Sequence, residues 1–133
     1  MIKIDNKQYE IQLYTTSLML MVASADNNIS NNEIEIIKKI ITDFFKINEE
    51  ISKEIISKSY NIIDEATDIY QIASFINKSF DKEEKIRLIY STFKIAYSDK
   101  KFHYMERHLI NQIANILNLH KKEIIEIKKG ILI

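Results

Sequence analysis

Residues 23–33 read ASADNNISNNE, and residues 96–106, which begin 73 positions later, read AYSDKKFHYME. In each stretch an alanine is followed by an aspartate after three positions, an apolar residue after three more and a glutamate after four more. A pattern that recurs at a fixed interval indicates a duplicated structural unit. We therefore expect two related helical units, each with an acidic turn between its first two helices.

The apolar residues around these stretches repeat at the same spacing. The matched pairs are Leu13/Ile86, Leu20/Phe93, Val22/Ile95, Ile36/Leu109, Ile37/Ile110, Ile40/Ile113 and Phe44/Leu117. Within each predicted helix the apolar positions recur every three or four residues, which is the period of an amphipathic helix. The sequence predicts one all-α domain over residues 1–133, with about seven helices arranged as three, a bridging one and three.

Composition excludes several classes of function. Lys and Arg together number 19, as do Asp and Glu, so the basic surplus typical of a nucleic-acid-binding protein is absent. With no Cys and a single Gly, the chain has no thiol nucleophile and no glycine-rich phosphate loop. Residues 1–7 lack an apolar signal segment, and the uncharged stretch at 11–25 is too short to span a bilayer. We expect a soluble, cytoplasmic protein.

Helix starts are marked by polar caps, because the chain has no proline to interrupt its helices. The predicted caps are Ser30, Asn48, Asp68, Asp81, His103 and His120. Four of these have a glutamate three residues later, which is the capping-box pattern. We expect the six helices to extend to about residues 46, 63, 76, 96, 117 and 130. In the helix after Asn48, Ile51 is expected to face inward with Ile55 and Ile56.

Two interpretations of the N-terminal segment remain open. Apolar residues alternate on both sides of residues 5–7, which favours a short β-hairpin formed by Ile2 and Ile4 with Tyr9, Ile11 and Leu13. Alignment with the second unit instead favours a helix from about residue 8. In either case we expect a helix over residues 13–25.

The acidic residues of the two turns have a structural explanation. Glu33 and Glu106 lie in the first turn of a helix, where a glutamate accepts the backbone N–H of the cap residue and stabilises the helix by about 0.5–1 kcal/mol. Asp26 and Asp99 lie where the preceding helix ends and can accept N–H groups of the turn. On this interpretation all four carboxylates are helix caps.

A metal site is the competing interpretation. If the two units pack about a pseudo-twofold axis, Asp26, Glu33, Asp99 and Glu106 converge and repel one another unless a cation lies among them. Ligands that are all oxygen select a hard ion such as Ca²⁺ or Mg²⁺. We expect Asp26 and Glu33 to be the first-choice ligands, because the lysines at 100–101 can neutralise the second turn.

The doubled pattern resembles the tellurite-resistance TerB-like family, in which the turn reads Ala-x-Ala-Asp-Gly followed by an apolar residue and a glutamate. Residues 23–33 match this pattern with Asn27 in place of the glycine. The second copy matches it at Ala96, Asp99, Phe102 and Glu106, with Lys100 in place of the glycine. The resemblance extends over about residues 8–127. It implies an all-helical domain with acidic residues proposed to chelate metal. It also implies a link to tellurite and other stress responses, and to membrane-linked complexes or co-chaperones in which a related domain is an interaction module.

Three functional hypotheses follow. The first is a non-enzymatic stress-response or interaction domain with an unidentified protein partner, which binds a divalent cation through Asp26, Glu33, Asp99 and Glu106. The second is a metal-independent interaction scaffold in which these carboxylates act only as caps. The third is a hydrolase that uses a bound metal to activate water, although the sequence has no substrate-positioning signature.

Overall fold

The computed structural model describes residues 6–25, 29–64, 68–98 and 104–132 of the 133-residue chain. These residues form seven helices and no strand. The helices are α1 (Asn6–Ala23), α2 (Asn31–Phe45), α3 (Glu49–Asp64), α4 (Ile69–Ser79), α5 (Lys82–Tyr97), α6 (Tyr104–Ile116) and α7 (Lys121–Leu132). The predicted all-α class is confirmed.

Helix α1 lies at the centre of the fold and contacts α2, α3, α4, α5 and α6. Its residues from Thr15 to Leu20 are all buried, so every face of the helix is covered in this segment. This is possible because residues 11–25 carry no charge. A buried hydroxyl group costs little folding free energy where it donates a hydrogen bond to a backbone carbonyl. The Ser17 hydroxyl, for example, donates to the Leu13 carbonyl at 2.8 Å.

The remaining helices follow the internal repeat. α1 packs against α2 and α3, and α5 packs in the same way against α6 and α7. The two units meet where α1 lies against α5, and α4 joins them by packing on both α1 and α6. Leu20 and Phe93, at equivalent core positions, are both fully buried. The match is not complete, since Ile40 and Phe44 are only partly buried. The predicted arrangement of three helices, a bridging helix and three helices is confirmed.

Polar caps begin the helices as predicted. The Ser30 hydroxyl accepts the Glu33 N–H at 3.0 Å, and the Asp68 carboxylate accepts the Tyr70 N–H at 3.0 Å. Asn48 and Asp81 accept N–H groups from the first turns of α3 and α5 in the same way. At the start of α7 the His120 N–H donates to Glu123 at 2.8 Å. The predicted cap His103 lies outside the described residues.

Two expectations were wrong. Of the two interpretations of the N-terminal segment, the hairpin is wrong and the helix is confirmed, because α1 begins at Asn6 and contains Tyr9, Ile11 and Leu13. Ile2 and Ile4 lie outside the described residues. Among the described helices, none is long and apolar enough to cross a membrane.

The inward orientation of Ile51 is the second wrong expectation, since this side chain is 42% exposed. The buried stripe of α3 runs instead through Ser52, Ile55, Ile56 and Ser59 at helical spacing. Ser52 occupies the inner position because its hydroxyl bonds to Thr42 of α2 at 2.7 Å. Ile51 precedes Ser52 by one residue and is therefore rotated by about 100° towards solvent.

Candidate acidic-turn site

We call residues 26–33 and 99–106 the two acidic turns. Each turn leads into a glutamate at the third position of the following helix, Glu33 in α2 and Glu106 in α6. Both glutamates are only 1% exposed. The structure therefore places these two predicted residues at equivalent, buried positions of the two units. The other two predicted ligands, Asp26 and Asp99, lie outside the described residues.

Glu33 has the hydrogen bonds of a helix cap. Its carboxylate oxygen Oε1 accepts the Ser30 N–H at 2.9 Å, while the Ser30 hydroxyl accepts the Glu33 N–H at 3.0 Å. The predicted capping box is confirmed for the first turn. Capping accounts for the position of Glu33 in the first turn of α2.

Capping does not account for the burial of Glu33, because other capping glutamates in this chain remain accessible. Asp81 and Glu84 form a capping box with two bonds of 2.9 Å, and Glu84 is partly exposed. The Glu123 side chain also caps a helix and retains 22% exposure. The ammonium of Lys82, followed by the bond from the His120 N–H, holds the pKa of Glu123 below its usual value. Burial of Glu33 and Glu106 is thus a separate feature of the fold.

Helical periodicity aligns the two glutamates with buried isoleucines of their own helices. The buried stripe of α2 consists of Glu33, Ile37 and Ile41, at intervals of four residues. The stripe of α6 likewise begins with Glu106 and continues through Ile110. Residues four apart lie on the same face of a helix. The sequence analysis left both glutamates open as caps or metal ligands and missed their burial. Spacing alone could not have revealed it, because the partly exposed Glu84 also lies one turn before a fully buried residue, Leu88.

The buried carboxylates have the chemistry of a hard-cation ligand. Removing an ionised carboxylate from water is costly unless opposite charge or hydrogen bonds compensate it. Carboxylate oxygens suit Ca²⁺ and Mg²⁺. Within the described ranges, no three acidic or histidine side chains lie close enough together to hold a metal ion. Because Asp26 and Asp99 lie outside these ranges, the predicted set of four ligands stays a prediction.

These features define an all-α class of protein, built from two related three-helix units with a buried glutamate at the first turn of each second helix. The family model for the tellurite resistance protein TerB matches residues 12–129, and the chain belongs to this family. The resemblance seen in the sequence is confirmed.

A solved structure has a similar fold. It is the crystal structure of a protein of unknown function from Porphyromonas gingivalis W83, with a TM-score of 0.66 over 90% of this chain and 89% of that chain. The two sequences are 18% identical, so the similarity concerns the fold alone.

A curated relative is the cytoadherence-linked asexual protein 3.1 of Plasmodium falciparum, which is 29% identical over 97 residues. The match covers 73% of this chain and 7% of that protein's length.

Proposed function

We propose that the chain is a non-enzymatic stress-response or interaction domain of the TerB family that binds a divalent cation at its acidic turns. Membership in the family supports the non-enzymatic part. The observation that supports the proposed cation site is the burial of Glu33 and Glu106, which are each 1% exposed at equivalent positions of the repeat. Both glutamates have partners within the chain, and a cation would add opposite charge to each carboxylate where water is excluded. The proposed setting is a single cytoplasmic domain over residues 1–133 that serves a protein partner, including a partner in a membrane-linked complex.

The first turn is the preferred site. Asp26 and Glu33 are the proposed ligands, since no residue between them is basic. Asp99 and Glu106 form the second choice, because the lysines at 100–101 compete with a cation for the carboxylates. Oxygen ligands of this kind select Ca²⁺ or Mg²⁺. The cation would connect the turn after α1 to the start of α2, so its binding would stabilise the fold.

Thermal unfolding of chelator-treated protein, with and without millimolar Ca²⁺, Mg²⁺ or Mn²⁺, tests this proposal. A cation that binds the native state raises the midpoint, by about 2.7 kcal/mol of stability at a hundredfold excess over Kd. We expect Asp26→Asn and Glu33→Gln to abolish the rise. The matched control is Glu84→Gln, which alters a capping glutamate that is partly exposed, and this variant should retain the rise.

A second candidate is a metal-independent interaction scaffold, which is favoured by the complete capping box of Glu33. It predicts that no cation changes the midpoint and that Glu33→Gln and Glu84→Gln lower it by similar amounts in chelator. That result would contradict the cation site and leave the acidic turns as helix caps.

A further inference from the structure

The internal repeat extends to the third helix of each unit. Before α3, Lys46 has a left-handed backbone conformation with φ 54°, and before α7, Asn118 has the same conformation with φ 62°. Helices α3 and α7 begin three residues after these positions. The third helices are therefore related by a spacing of 72 residues, whereas α2 and α6 keep the spacing of 73 that relates their buried glutamates.

Two side-chain contacts hold α2 against α3 in the first unit. The Lys38 ammonium lies 3.1 Å from a carboxylate oxygen of Glu49, and the Thr42 and Ser52 hydroxyl oxygens are 2.7 Å apart. Ser52 is fully buried between the two helices. These contacts join two positions of α2 to two positions of α3, one turn apart.

The equivalent positions of the second unit cannot make these contacts. Lys38 and Glu49 correspond to Asn111 and Lys121, and an amide and an ammonium form no ion pair. Thr42 and Ser52 correspond to Asn115 and Ile124, and isoleucine has no side-chain donor or acceptor. α2 and α3 pack closely, whereas α6 and α7 both pack on α5 but not closely on each other.

A groove of about 680 Å³ lies between α6 and α7 as a result. The corresponding depression of the first unit measures about 440 Å³ and is crossed by the Lys38–Glu49 ion pair. Amide side chains of α6 form one wall of the larger groove. Leu119, Ile124 and Ile125 supply its apolar surface, and Ile125 is 51% exposed.

The charge of the groove is positive. Lys121 and Lys128 line it, and no carboxylate is among its described lining residues. The Lys128 ammonium also lies 5.6 Å from the centroid of the Phe93 ring of α5. The two glutamates of α7 are engaged elsewhere, because Glu123 pairs with Lys82 of α5 and Glu126 pairs with Lys129. An occupant with an apolar face and flanking carboxylates would complement this surface.

We propose that the groove between α6 and α7 binds an acidic amphipathic helix of a partner protein. Apolar side chains of that helix would cover Leu119, Ile124 and Ile125, and its carboxylates would pair with Lys121 and Lys128. This is helix-in-groove recognition, in which apolar anchors at helical spacing give affinity and charges at the rim select the partner. The inference rests on the interaction role proposed above and does not require the cation.

Selection from a displayed peptide library tests it with the full chain. The library consists of helices of about 18 residues, or five turns, with leucines fixed along one face and Glu, Lys, Gln or Ala elsewhere. We expect the selected peptides to be enriched in Glu. Their affinity should fall at least about tenfold in Ile125→Glu, because an exposed apolar anchor is replaced by a repelling charge. Ile51→Glu changes a similarly exposed isoleucine of α3 and should leave the affinity within about twofold.

Three outcomes would overturn the proposal: no enrichment, enrichment in Lys, or equal loss of affinity in Ile51→Glu and Ile125→Glu. Association of the chain with itself that is lost in Ile125→Glu would assign the groove to a second copy instead. Flotation with phosphatidylserine vesicles, lost in the same variant, would assign it to an anionic membrane. The selection is run in chelator and again in Ca²⁺ and Mg²⁺, so failure of the cation site and failure of the groove are separate results.

Discussion

The two halves of the molecule share the packing of their first two helices. They differ in the contact between their second and third helices, which we call the seam. In both, a central helix packs against a second helix that begins with a buried glutamate, Glu33 or Glu106. The seam between α2 and α3 is held by the contact of Thr42 with Ser52, and we call it the closed seam. The seam between α6 and α7 contains the groove, and we call it the open seam. Core positions are constrained by packing on several sides, whereas the contact between the second and third helices depends on a few side chains. Divergence between the units is therefore expected at the seams.

The largest loss of stability is expected from truncation of matched core residues, which tests the packing that the two units share. Leu20 and Phe93 are both fully buried, on α1 and α5. Leu20→Ala and Phe93→Ala should each lower the free energy of unfolding by about 3–5 kcal/mol, through lost apolar burial and the cavity left behind. Urea unfolding measures the loss. A cost below about 1 kcal/mol for either variant would contradict the central α1–α5 pair.

Exchange of residues between the seams tests the difference directly. Ser52→Ile places the second unit's side chain in the closed seam, and it should cost about 1–3 kcal/mol because it overfills a buried site and removes a hydroxyl contact. The reverse change, Ile124→Ser in the open seam, should cost about 1 kcal/mol, because the side chain is only partly buried. Equal costs in urea unfolding would show that the seams are not different in packing.

A smaller test separates capping from burial at the acidic turn. Ser30→Ala and Asp81→Ala each remove a side-chain acceptor from a capping box. Each should cost about 1 kcal/mol in chelator, since the cap bond is the same in both helices. Thermal unfolding of the two variants gives the comparison. A loss several times larger for Ser30→Ala would mean that the cap also holds the buried Glu33 in place.

The smallest expected effect is a pH dependence that only the closed seam has. Bonding to Lys38 lowers the pKa of Glu49 below its usual 4.5, and bonds to Glu49 and Glu35 raise the pKa of Lys38 above 10.5. The Glu49 contribution to stability is therefore present above pH 4.5 and is lost as the pH falls through the lower, folded value. The Lys38 contribution is present below pH 10.5 and is lost as the pH rises through the higher value.

Lys38→Asn introduces the residue of the second unit and should flatten the fall in melting temperature between about pH 5 and about pH 3. Part of that fall should remain, because Glu123 also has a lowered pKa through Lys82. High salt should reduce the difference, since the pair lies at the surface. An unchanged pH profile in Lys38→Asn would mean that the ion pair does not contribute to the closed seam.

Much of the fold could be predicted because it depends on local signals. Ser30, Asp68 and Asp81 begin helices through bonds to residues only two or three positions away. The hairpin was the exception, because alternating apolar residues around 5–7 fit a strand as well as the partly buried first turns of helix α1. For the site, the positions of the glutamates were predictable from the repeat, whereas their burial was missed.

The sequence by itself determined the duplicated helical plan, the helix starts and the family, since each depends on spacing along the chain. The tertiary structure decided which glutamates are withdrawn from water and which isoleucines remain exposed. Glu33 and Glu84 occupy the same local motif, and each lies one turn before a buried residue, yet only Glu33 is itself buried. Ile51 and Ile125 remain 42% and 51% exposed, because each lies on a face of its helix that the described residues leave open. Such differences arise from contacts between distant segments, which local spacing does not encode.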